Sequence, residues 1–178
     1  MQQTDTDTVK APPAGKGQSE TDKESLKEEM TSILEECRMV LPGMQALFGF
    51  QTIAVFNQRF EELPASGANA HLLSLLLVAV AIALNMAPAA YHRIAEPGRV
   101  SRRMVTRAST VICVAMLTLM LGFALEMYVV FELGTGQQLF SAAVALFMLL
   151  FIGAAWFGLP FLARQRMRRR SRVSDLRQ

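Results

Sequence analysis

Little in this chain supports enzyme chemistry. Its 178 residues include two cysteines and two histidines, too few and too scattered for a recognisable zinc or iron ligand spacing. Phosphate-loop, dinucleotide-binding, zincin, haem-attachment and nucleophile-elbow patterns are all missing. The expectation is a non-enzyme without cofactor or metal. A metal would have to draw on Cys37, Cys113 and His92, which lack ligand spacing. Both thiols are expected on the cytoplasmic half, where they stay reduced, so no disulfide is expected. The first 38 residues also lack a basic start, a short apolar stretch and a small-residue cleavage site, and no signal peptide is expected.

Charge is absent from four long stretches, residues 39–58, 63–92, 108–125 and 133–163. A helix rises about 1.5 Å per residue and needs about 20 residues to cross a hydrocarbon core of about 30 Å, so each stretch is near or above spanning length. With 52% hydrophobic residues and a mean hydropathy of +0.28, a soluble bundle would have almost no amphipathic helix left to face water. The fold class expected is all-α: a four-transmembrane-helix bundle, with spans at about 41–60, 70–92, 105–131 and 138–163, preceded by an amphipathic helix.

Positive charge is scarce in two connections and dense in the others. Arg93, Arg99, Arg102, Arg103 and Arg107 crowd the middle turn, and Arg164, Arg166, Arg168, Arg169, Arg170, Arg172 and Arg177 follow the last apolar run. Positive-inside asymmetry therefore places both termini in the cytoplasm. Residues 1–38 hold five basic against nine acidic residues, whereas 164–178 hold seven Arg against one Asp. The tail arginines Arg164 to Arg172 are candidates for binding anionic headgroups, and the two oppositely charged ends are alternatively candidates for each other. Nucleic acid is not expected as a partner, because topology alone calls for such an Arg cluster and no folded reading module accompanies it.

Residues 1–24 offer Pro, Gly, Ser, Thr and charge with almost nothing to bury, and are expected to be a disordered cytoplasmic arm. Residues 25–40 are expected to be an amphipathic interfacial helix: two consecutive capping boxes begin at Thr21 and Ser25, and Leu26, Met30, Ile33 and Cys37 recur on one face. Pro42 disfavours helix at Leu41, so this helix either bends there, the preferred reading, or continues with a mild kink into the transmembrane domain, residues 41–163.

On the first span, Arg38, Pro42, Gln45, Gly49, Thr52 and Arg59 share an arc of about 100°. Such a stripe is expected to face other helices more than a water-filled path. Counting from the charged ends puts Gln45 and Asn85 at similar depth, within hydrogen-bonding reach. On the outer side Arg59 is expected to find Glu126, or else Glu61 or Glu62. Gln45, Asn85, Arg59 and Glu126 are the candidate intramembrane polar or ion site. His71 is expected at an interface, and Trp156, Tyr91 and Tyr128 as headgroup-level anchors.

Glu36, Arg38, Gly43-x-Gln45-x-Leu47-Phe48-Gly49-Phe50, Phe56-x-x-Arg59-Phe60 and Ala87-Pro88-x-x-Tyr91-His92-Arg93 together resemble an uncharacterised family of small bacterial four-helix membrane proteins, over roughly residues 24–160. Some members carry the label sodium:proton antiporter. The resemblance implies a membrane fold, in the bacterial inner membrane, and no established activity. The function expected is that of a structural or interaction protein that forms a homo-oligomer; the alternative is a small cation or proton transporter or channel.

Overall fold

The computed structural model describes the backbone of residues 14–95 and 100–163, and the side chains of residues 20–58, 60–95 and 100–163. Every regular element among them is helical: α1 (Ala14–Ala54), a single turn α2 (Gln58–Glu61), α3 (Ala65–Ala95), α4 (Arg102–Thr135) and α5 (Gln138–Ala163), the last with a π-helical turn at Ala154–Gly158. The helices α3, α4 and α5 are long and apolar enough to cross a membrane.

The first helix departs most from expectation. It runs unbroken through Pro42, so the segment expected as a separate interfacial helix and most of the first expected span are one element. The helix begins at Ala14, inside the arm expected to be disordered; residues 1–13 lie outside the described residues, as do Arg164, Arg166, Arg168, Arg169, Arg170 and Arg172. Continuity follows from what the helix buries. Met30, Ile33, Cys37, Met44 and Gln51 are all buried, at steps of three, four, seven and seven. This seam of about 3.5 residues per turn crosses Pro42 without slipping.

The third helix has the same repeat: Gly67, His71, Ser74, Val78, Ala81, Asn85 and Pro88 are its buried residues. It packs antiparallel along α4, whose start is fixed by Ser101, an N-cap accepting from Met104 N at 3.2 Å, and whose end is Gly136 in the left-handed region at φ 66°. The two backbones approach closely at Gly122, where a Cβ would lie 3.1 Å from Val78 Cγ2 and 3.3 Å from the Ser74 carbonyl oxygen. At the Arg-rich end, Met30 and Ile33 of α1 close a small core with Met104, Val105 and Ala108 of α4.

α5 packs on α4 yet buries only Ser141 between Gln138 and Gly153, leaving Leu146, Phe147, Leu150 and Phe151 exposed. A surface of this kind belongs against lipid or another helix, not water.

Candidate functional site

Four buried polar side chains meet where the end of α1 crosses α3 and α4. Gln51 (2% exposed), His71 (1%), Ser74 (0%) and Glu126 (9%) lie among apolar neighbours. The Gln51 amide Nε2 donates to Ser74 Oγ at 2.8 Å and to Glu126 Oε2 at 3.0 Å, which uses both of its hydrogens. The Ser74 hydroxyl in turn donates to the Gly122 carbonyl at 2.7 Å. His71 closes the cluster, with Nε2 3.0 Å from the Gln51 carbonyl oxygen and Nδ1 3.2 Å from Glu126 Oε2. The edge of Phe60 stands over the imidazole, ring centroids 5.3 Å apart.

The proton count of this cluster follows from its acceptors. Both nitrogens of His71 face oxygens, one a backbone carbonyl and the other a carboxylate. A neutral imidazole has one N–H, so both bonds form together only if one further proton lies between Nδ1 and Glu126, on the ring or on the carboxyl. In either arrangement the pair is neutral overall. That is the state in which a buried pair costs least in an apolar surrounding.

A cleft of about 160 Å³ opens beside the pair, lined by Phe60, Leu63, Val129 and Leu133 together with His71 and Glu126 themselves. Further along α4, Glu132 is buried close to the Tyr128 hydroxyl. Its Oε2 rests against Gly67, where a Cβ would come within 2.7 Å of it. Among the described residues no group of three or more His, Cys, Asp or Glu side chains is placed to hold a metal ion.

Of the candidates named from sequence whose side chains are described, Glu126 alone lies in this cluster. Gln45 is exposed, and the expected bond between Gln45 and Asn85 does not form: Asn85 Nδ2 donates to the Cys37 carbonyl at 3.0 Å. The reason is register. Depth counted from Pro42 as a helix start sets α1 eight residues, about 12 Å, out of step with α3. The polar stripe on α1 also faces the wrong way for packing: Arg38, Pro42 and Gln45 are exposed, a Cβ at Gly43 or Gly49 would meet nothing within 4 Å, and Thr52 bonds back to its own helix at Phe48. The side chain of Arg59 is outside the described residues, so its expected pairing with Glu126 is too; Glu61 and Glu62 are exposed.

Gln51, His71 and Ser74 were not among the candidates. Their signal was present as spacing, since each falls on the 3.5-residue seam of its helix, where a polar side chain faces other helices rather than lipid.

A helical protein with membrane-length apolar helices and a buried polar cluster is the class these features define. The chain belongs to a family of unknown function, DUF6328, whose model matches residues 19–160. The function of the family is unknown, so the sodium:proton antiporter label finds no support in it. No curated protein and no solved structure matches the chain.

Proposed function

We propose that the protein is a non-enzymatic, four-span protein of the bacterial inner membrane, with both termini cytoplasmic, that acts by association, including with further copies of itself. The observation that carries this reading is where the polar groups go. Gln51, His71, Ser74 and Glu126 bond to one another and to helix carbonyls at one end of the bundle. At the other end the contact between α1 and α4 is made by Met30, Ile33, Met104, Val105 and Ala108. Such a cluster fixes three helices against each other and gives a single chain no polar path across. α1, whose apolar half follows the seam of α3, supplies the fourth span, and the exposed face of α5 supplies surface for association. Counting copies per particle by single-molecule photobleaching in liposomes tests this reading. Oligomers that persist on dilution into excess lipid support it, and single copies at every dilution overturn it.

A second reading has its own observation, the buried pair of His71 and Glu126, 3.2 Å apart beside a cleft. An ionisable pair inside a membrane is by default a functional site, and this one is suited to proton or cation handling in an oligomer. Flux into proteoliposomes separates the readings. A proton- or sodium-dependent flux lost in Glu126→Gln favours transport, and none in the wild type favours association.

A further inference from the structure

A roomy cleft lies at the opposite end from the polar cluster. It measures about 370 Å³ and runs between the last turns of α3 and the first turns of α4. Its floor is apolar and buried: Pro88, Met104 and Ala108. Small side chains at Ala87 and Ala108 leave the hollow. The rim differs in kind. Tyr91, Thr106, Arg107 and Thr110 line it and are exposed, and Arg107 makes no ion pair with any described residue.

Depth decides what such a cleft takes. Arg107 is the last charge before the neutral run 108–125 of α4, and His92 and Arg93 end the neutral run of α3, so the rim stands at the boundary between hydrocarbon and headgroups. Below it the walls are hydrocarbon-like. Beside it, five arginines fall between residues 93 and 107. An occupant must therefore carry a long apolar chain and a negative group about one helical turn above it. Basic clefts between spanning helices on the cytoplasmic side suit anionic lipids for this reason.

We propose that this cleft is a binding site for one anionic phospholipid, with an acyl chain between Ala87, Pro88 and Ala108 and the phosphate on Arg107. The site is distinct from the Arg-rich tail. It rests on the chain's residence in a bilayer and not on its oligomeric state.

Native mass spectrometry of the full chain, released from detergent with phosphatidylglycerol or with phosphatidylcholine of the same acyl chains, reads protein copies and bound lipids together. The expected result is one phosphatidylglycerol kept per chain at concentrations where phosphatidylcholine is lost. Arg107→Gln should weaken retention by about fivefold, the share of one basic residue near the membrane surface, while Arg107→Lys keeps the preference. Ala87→Leu, which fills the cleft, should lower retention of both lipids. Changing Arg164, Arg166, Arg168, Arg169, Arg170 and Arg172 to Gln should leave the retained lipid in place. Equal retention of the two lipids overturns the site, as does indifference to both Arg107→Gln and Ala87→Leu, or loss of the lipid in the tail variant. Thermal unfolding of each variant confirms that the comparison is between folded proteins.

Discussion

His71 Nε2 lies 3.0 Å from the carbonyl oxygen of Gln51, and fourteen residues further along each helix Asn85 Nδ2 lies 3.0 Å from that of Cys37. Two side chains on α3 thus read off the same antiparallel register against α1, about 21 Å apart at 1.5 Å per residue. Cross-linking checks it with a native group. In a chain with Cys113→Ala, a cysteine at Asn85 should be joined to Cys37 by a short bifunctional thiol reagent. A Gln45→Cys, Asn85→Cys pair lacking Cys37 should not be joined. The reverse pattern would restore the shorter helix and dismiss this register.

The contact of His71 with Glu126, 3.2 Å between Nδ1 and Oε2, makes a mutational prediction. Gln51 Nε2 and His71 Nδ1 both meet the same Glu126 oxygen, Oε2. In Glu126→Gln an amide oxygen there still accepts from Gln51 but cannot donate to a ring nitrogen, so the change should cost one hydrogen bond, roughly 0.5–1.5 kcal/mol in thermal stability in detergent. Glu126→Leu leaves the Gln51 amide and one ring nitrogen without partners in an apolar site, and should cost about 1–3 kcal/mol. If Gln is as damaging as Leu, an oxygen accepting from Gln51 at that position does not stabilise the cluster.

Two glycines carry the close contact of α3 with α4. Gly122→Ala pushes a methyl to 3.1 Å from Val78 Cγ2 and against the Ser74 backbone, and should cost about 1–3 kcal/mol as overpacking. Gly67→Ala meets the Glu132 carboxylate at 2.7 Å, the end of a flexible side chain that can move aside, and should cost less. Unfolding temperatures in one detergent rank the two, and the opposite ranking would mean that the helices do not pack tightly at Gly122.

The proposed orientation is checked by accessibility. With native cysteines replaced, a thiol at Ser66, exposed ahead of the body of α3, should react with an impermeant maleimide on intact cells. A thiol at Arg172 should react only after the membrane is opened. Labelling of position 172 from outside would reverse the assignment.

Much of this arrangement was legible in the sequence. The neutral runs found α3, α4 and α5 because charge is excluded from lipid whatever the packing. The seam of α1 was read only as far as Cys37. Stopping at Pro42 hid Met44 and Gln51, although the same steps continue through it, because a proline's lost hydrogen bond weighs less than an apolar seam that stays in register. His71, Ser74 and Asn85 stand at steps of three, then eleven, in a helix otherwise rich in Leu, Val and Ala, a spacing that falls on one face, but only Asn85 is among the site candidates from sequence. The bond from Ser74 to Gly122 depends on how closely two backbones approach, and no single-helix pattern contains that distance.

The central claim is that α1 and α4 are joined through a buried bond between Gln51 and Glu126, 3.0 Å long. A double-mutant cycle on thermal stability, with Gln51→Leu, Glu126→Leu and the pair, measures that bond directly, provided each variant still unfolds cooperatively. The double variant should lose less than the two single losses together, by about 1 kcal/mol, because removing both partners leaves fewer buried groups unpaired. Strictly additive losses would contradict the claim and leave α1 without its polar link to the helices it packs against.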